Sequence, residues 1–232
     1  MKEFYKVWLT KPFDETSVER ELFDATWFAT VKIVLKELNL KETMKVGELG
    51  CGWGRVILGL KFMLPNLKIV GFEINPKFCE IFKKLKEQYN LDHVDVFKKD
   101  IIAEDLPYCE YDAIYSIRVL HYFSENDRIK VLKKIFDALK PGGKVLISIP
   151  NAWNIYRKLT YKHAPLISIL KIKHEMKNTN FKNLKIGGYN FLMPIKRFPY
   201  NSILSKLNVF LSFIPLVNLL GGLVYVYGEK ER

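Results

Sequence analysis

Between residues 44 and 150 the chain switches repeatedly from extended to helical hydrophobic spacing, and few folds accommodate that alternation. Residues 44–49 are short and extended; Val56, Leu60 and Met63 then fall at helical spacing, stopped by Pro65. Residues 67–72 read as a second strand, and Pro76 starts a helix lined by Phe78, Ile81, Phe82, Leu85 and Tyr89. Residues 93–97 and 111–117 read as the third and fourth strands. Ile129, Leu132, Phe136 and Leu139 mark a helix closed by Lys140-Pro141-Gly142-Gly143, and 144–149 is a fifth strand ended by Pro150. Upstream, Val18, Leu22, Ala25, Ala29 and Ile33 predict an amphipathic helix over 16–38. Strands alternating with helices need crossover connections, so the expected fold is α/β, a doubly wound and mostly parallel sheet. Ligands on such sheets bind beyond the carboxyl ends of the strands, which directs attention to a few loops.

The first loop is Glu48-Leu49-Gly50-Cys51-Gly52-Trp53-Gly54. Its glycines let the backbone turn sharply and approach a ligand closely. Arg55 stands where a dinucleotide fingerprint has its third glycine, so the spacing is G-x-G-x-G. Glu48 would repel a pyrophosphate and favour a cationic ligand, which also argues against a dinucleotide. The second loop places Glu73 at the tip of the second strand, where an acid suits a bidentate hold on ribose hydroxyls. After the third strand, Asp100 suits an adenine amino group and Ile101 the adenine face.

Together the stretch 46–54, Glu73, Asp100-Ile101, Tyr111-Asp112-Ala113-Ile114 and the run 139–144 resemble, in order and spacing, the class I S-adenosylmethionine-dependent methyltransferases. The resemblance covers roughly residues 40–150. Val119-Leu120-His121-Tyr122 and Ile149-Pro150-Asn151 are most similar to its small-molecule branch, which includes ubiquinone-biosynthesis-type O-methyltransferases. The resemblance implies a Rossmann-like seven-stranded sheet with an antiparallel last strand, here 222–227, and S-adenosyl-L-methionine as cofactor, with no metal. Carried over by position, Glu48, Gly50, Cys51 and Gly52 would face the methionine end of the cofactor. Glu73 would hold the ribose with Ile74 beside it, Asp100 and Ile101 the adenine, and Ser116 and Ile117 would line the floor under the sulfonium. His121, just beyond the fourth strand, is the candidate general base. The implied segments are a helical lead-in (1–40), a cofactor-binding core (41–150), a basic and apolar acceptor lid (151–221) and a final core strand (222–232), one domain in all.

Charge divides the chain in the same place. Residues 1–150 hold 24 basic and 22 acidic residues, whereas 151–228 hold 11 basic residues and a single acid, Glu175, a net of +10. That segment is suited to an anionic partner: an anionic small or lipid-linked acceptor, an anionic membrane surface, or RNA phosphates; plain solvation is the other reading. Residues 207–228 carry no charge, but Asn208, Ser212, Pro215, Asn218 and Gly221-Gly222 interrupt them. A peripheral contact through apolar 198–213, flanked by Lys196, Arg197 and Lys206, is therefore expected in place of a membrane span. The rival acceptor is RNA, with Trp153, Tyr156, Tyr161 and Tyr189 interleaved among the lysines to stack on bases. A non-catalytic partner subunit is a third class.

No Asn/Asp-Pro-Pro-Tyr follows the fourth strand, where Tyr115-Ser116-Ile117-Arg118 sits, so the usual amino-methylating signature is missing. There is no Pro-Cys pair for a thiolate-assisted mechanism on cytosine. An acceptor oxygen is expected. Cys51, Cys79 and Cys109 lie far apart without a C-x-x-C, and the first six residues are too charged for a signal peptide. Both point to a cytoplasmic protein in a reducing compartment.

Overall fold

The computed structural model describes residues 24–154, 166–191 and 199–231. The predicted helix positions Val18 and Leu22, as well as Tyr156, Tyr161, Lys196, Arg197 and Phe198, lie outside the described residues. Seven strands form one sheet: β1 (Lys45–Leu49), β2 (Lys68–Glu73), β3 (Val94–Lys98), β4 (Tyr111–Ile117), β5 (Leu139–Pro150), β6 (Lys182–Tyr189) and β7 (Leu223–Glu229). Their order is β3-β2-β1-β4-β5-β7-β6. Strands β1 to β5 pair in parallel, while β7 runs antiparallel to both neighbours, so the final strand of the chain is the reversed one. The sheet is that of a Rossmann-like methyltransferase fold.

Helices cover both faces. α1 (Ala25–Glu37), α2 (Arg55–Met63), α3 (Pro76–Gln88) and α6 (Ile203–Leu211) lie against one core, and α4 (Glu125–Ala138) and α5 (Ile169–Asn178) against the other. Central strands β1 and β4 are enclosed on both faces, so consecutive residues along them are buried and burial does not alternate. Several helices start on a side-chain cap: Asp24 accepts from the Trp27 N–H at 2.7 Å, Asn75 from that of Lys77 at 3.0 Å, and Ser124 from that of Asp127 at 3.2 Å. In α1, Trp27, Val31, Ile33 and Val34 are each at most 3% exposed, and burying a side chain of this size contributes about 1.5–3 kcal/mol.

Four sequence expectations change. The segment 151–221 is not all insertion, because β6 within it completes the sheet as an edge strand. Lys182, Asn183 and Lys185 are exposed along it, so its apolar signal is too thin to see in sequence. The buried face of α4 carries Arg128, Val131, Leu132, Ile135 and Ala138, rotated from the predicted stripe of Ile129, Leu132 and Phe136. The rotation lets buried Arg128 meet Glu175 on α5, at 2.9 Å from Nε and 2.6 Å from Nη2. Tyr189 is 0% exposed and shares a 2.8 Å hydrogen bond with Ser148, so it cannot stack on a base. Finally, Lys140-Pro141-Gly142-Gly143 bulges within β5, since pairing jumps from Tyr111↔Leu139 to Ala113↔Lys144. Among the described residues no helix is long and apolar enough to cross a membrane.

Candidate functional site

The strand order turns around between β1 and β4, and the loops after β1, β2, β3 and β4 gather at that end of the sheet. The glycine loop is clamped there: the N–H groups of Gly50 and Cys51 both donate to the Phe72 carbonyl, at 2.8 and 3.1 Å. Gly52 and Gly54 have φ of 56° and 86°, a left-handed region that side chains rarely adopt. They differ in surroundings. A Cβ on Gly54 would stand 2.2 Å from the Phe82 ring, so that glycine serves packing; a Cβ on Gly52 would meet nothing within 4 Å among the described residues, so that position is open.

Glu73 closes this cradle. Its Oε2 accepts the Gly52 N–H at 2.8 Å, and its Oε1 accepts the Asn75 N–H at 2.9 Å. Burial pushes its carboxyl above the usual range, while the N–H groups of Asn75, Gly52 and Ile74 pull the other way. Glu48 lies at the end of β1 and is 2% exposed, in register with Tyr115, whose O–H donates to its Oε2 at 2.9 Å. Burial pushes the Glu48 carboxyl well up, the Tyr115 hydrogen bond lowers it, and the Glu73 charge raises it again. The same burial, then the nearby Glu48 and Glu73 charges, pushes the Cys51 thiol well up, so it is a neutral packing group and not a nucleophile.

The other predicted residues surround this pair. Asp100 Oδ1 caps its own loop, accepting from the Ile102 and Ala103 N–H groups at 2.9 and 3.3 Å; Oδ2 has no hydrogen bond among the described residues. Ile101 is buried, whereas Ile74 and Ile117 are half-buried at the ends of their strands. Ser116 is 0% exposed and its hydroxyl donates to the Leu49 carbonyl at 2.9 Å, which locks β4 to β1 beneath the glycine loop. His121 sits in a short 3-10 turn, Leu120–Tyr122; it is 1% exposed, with its ring centroid 3.9 Å from that of Tyr122. Val119, just before it, packs against Gly50, where a Cβ would meet its Cγ2 at 2.4 Å.

Sequence reasoning missed two contributors. Tyr115 becomes visible only through the β1–β4 register, and Asn75 combines a helix cap with an N–H to Glu73. Arg55, at the position of the absent third glycine, donates from Nη2 to Asp24 Oδ1 at 2.8 Å and to Thr26 Oγ1 at 3.2 Å. Its carbonyl accepts from Trp27 Nε1 at 2.8 Å, so this residue pins α1 beside the loop. Asp112 is structural, accepting from the Lys45 N–H at 2.7 Å and from Lys140 Nζ at 2.8 Å. Among the described residues, no three His, Cys, Asp or Glu side chains cluster where a metal could sit.

A methyltransferase-domain family model matches residues 48–145. The tRNA U34 carboxymethyltransferase of Campylobacter curvus is 28% identical over 177 residues, covering 70% of this chain and 54% of that protein. The demethylmenaquinone methyltransferase of Lactobacillus johnsonii is 28% identical over 189 residues, covering 68% of this chain and 76% of the relative. The chain spans 59% and 54% of the first two curated relatives it matches. Among solved structures, phosphoethanolamine N-methyltransferase 2 of Haemonchus contortus superposes with a TM-score of 0.71 at 15% identity, over 100% of this chain and 61% of that one. The family match begins at Glu48 and ends at Val145, so it frames the glycine loop, Glu73 and the turn after β4; that core is a methyltransferase domain, similar in fold to the class I S-adenosylmethionine-dependent methyltransferases.

Proposed function

We propose that this chain uses S-adenosylmethionine to methylate a small or lipid-linked acceptor on oxygen. The observation that carries the reading is the Gly52–Glu73 cradle, open where a side chain would stand and braced by two backbone N–H groups on one carboxylate. The cofactor, when bound, supplies a methyl carbon on sulfur that is already electrophilic, so the protein is left with binding, alignment and a proton. Glu73 has lone pairs left for ribose hydroxyls, and its braced rotamer means little side-chain freedom is lost on binding. An ammonium near Glu48 would favour its ionised form and oppose the burial that raises its carboxyl. Asp100 Oδ2 and Ile101 suit an adenine edge and face, with Ile74 beside the ribose and Ile117 under the reacting sulfur. Ser116 acts on the glycine-loop backbone through Leu49. His121 is the group for the acceptor proton.

The likeness to a demethylmenaquinone methyltransferase supports the lipid-linked choice. RNA is the second reading, favoured by the +10 of residues 151–228 and by the tRNA-acting relative; buried Tyr189 counts against it. S-adenosylhomocysteine should raise the melting temperature while NADH does not, and Glu73→Ala should abolish the shift, weakening binding about 100-fold through the lost charge-assisted hydrogen bonds. A shift with NADH alone would sink the reading. Labelled methyl donor incubated with fractionated extract then assigns the acceptor: label in lipid or small molecules supports the first reading, label in RNA the second. His121→Gln should lower turnover and leave the S-adenosylhomocysteine shift intact; unchanged turnover returns the ring to packing.

A further inference from the structure

Helix α6 is built inside out. Ser205 and Asn208 are 0% exposed and Ser212 just beyond is 1% exposed, whereas Ile203 is 83%, Leu207 44% and Phe210 62% exposed. These three apolar residues follow one another at i, i+4 and i+7, so they form a single outward stripe. The inward face is sewn down by polar bonds: Asn208 Oδ1 accepts the Phe191 N–H at 2.8 Å, and Asn208 Nδ2 donates to the Ala25 carbonyl and to Asn190 Oδ1, each at 3.3 Å. The Ser212 hydroxyl donates to the Asn208 carbonyl at 2.7 Å. Beyond the helix, Leu216 (80%), Leu220 (70%) and Trp153 (47%) are exposed too, and the Asn154 Nδ2 bond to the Leu220 carbonyl at 2.9 Å ties the Trp153 turn to Leu220.

A soluble helix ordinarily turns its apolar stripe to the core and its polar residues to water. The opposite arrangement, fixed by hydrogen bonds that hold the polar face inward, suits an apolar medium on the outer side. Charge selects which medium. From residue 199 to 228 there is one cation, Lys206, and no acid, within a segment of net +10. The face also lies between the end of β6 and the start of β7, at the same end of the sheet as the glycine loop. We propose that the outer face of α6, with Leu216, Leu220 and Trp153, docks on an anionic phospholipid membrane. The apolar row enters the acyl boundary and Lys206 beside it meets the phosphates. The inference stands independently of the methyl-transfer reading.

Flotation of the full chain with phosphatidylcholine vesicles, with and without phosphatidylglycerol, tests it. The protein should float with the anionic vesicles and stay at the bottom with phosphatidylcholine alone. Ile203→Asp with Phe210→Asp should cut the floated fraction at least about tenfold while melting temperature and circular dichroism stay unchanged. Lys206→Glu should cut it about fivefold. Wild-type protein that stays at the bottom with anionic vesicles overturns the proposal, as does a double variant that floats like wild type. A solution dimer dissolved by the same double variant also overturns it, since a second copy then covers the face.

Discussion

Helices α3 and α6 belong to the same layer yet meet it with opposite chemistry. α3 buries Phe78, Phe82 and Leu85 and exposes Lys77, Glu80, Lys83, Lys84 and Glu87; α6 buries serine and asparagine and exposes isoleucine, leucine and phenylalanine. The contrast extends to their regions. In residues 44–150, helices are ordinarily amphipathic and the buried carboxylates Glu48 and Glu73 gather at one loop. In 166–228, polar side chains act as internal ties: Asn190, Asn208, Ser212 and Glu175, joined by Asn151, whose Nδ2 donates to the Leu219 and Gly221 carbonyls, both at 2.8 Å. One region gathers its buried carboxylates at the glycine loop; the other uses polar side chains to hold a surface in position.

Breaking a tie should show how far the second region depends on them. Glu175→Ala leaves Arg128 buried and uncompensated, which costs about 3–5 kcal/mol. For a chain of this length thermal unfolding should then fall by roughly 10 °C, and Arg128→Met combined with Glu175→Leu should recover most of it. A single variant that melts like wild type would end the idea that this region is held by buried polar bonds.

Asn208→Ala is the next test in size. It strands the Phe191 N–H and the Ala25 carbonyl, at a cost of about 2 kcal/mol, or roughly 5 °C. The S-adenosylhomocysteine shift should survive, because the altered group lies outside the cradle; its loss would show that the two regions act as one unit.

The smallest effect sits in the first region. The folded carboxyl of Glu48 is raised above its unfolded value of 4.5, so the fold prefers it protonated. Stability from that preference is complete below the unfolded value and is lost as pH rises through the folded one. Wild-type protein should therefore lose stability from mildly acid toward alkaline pH. Glu48→Gln keeps an acceptor for the Tyr115 hydroxyl and should flatten the profile, gaining about 1 kcal/mol on the alkaline side. Glu73, raised in the same direction, leaves a residual slope, and melting curves across pH measure both.

Much of the first region was readable from local pattern. Strands β1, β4 and β5 announce themselves because strands in the middle of a parallel sheet are mostly apolar and alternate with helices, and Glu73 because its acid stands at a strand tip after a glycine loop. Tyr115 was not readable, since its tie to Glu48 exists only once β1 and β4 pair in register. The α4 face was misplaced for a similar reason: Arg128 reads as a surface residue until Glu175, 47 positions away, is brought beside it. The edge strand β6 was hidden by its exposed lysines and its Gly187-Gly188 pair.

The sequence by itself determined the α/β alternation, the cradle's glycines and acids, and the division of charge at residue 150, because each depends on neighbours in the chain. Tertiary structure alone decided which way α6 faces. Its residues are mixed enough to bury either side, and the choice falls to Asn208. Its hydrogen bonds form only where α1, the turn after β6 and α6 meet, and they place the apolar stripe outward at the end of the sheet that carries the glycine loop.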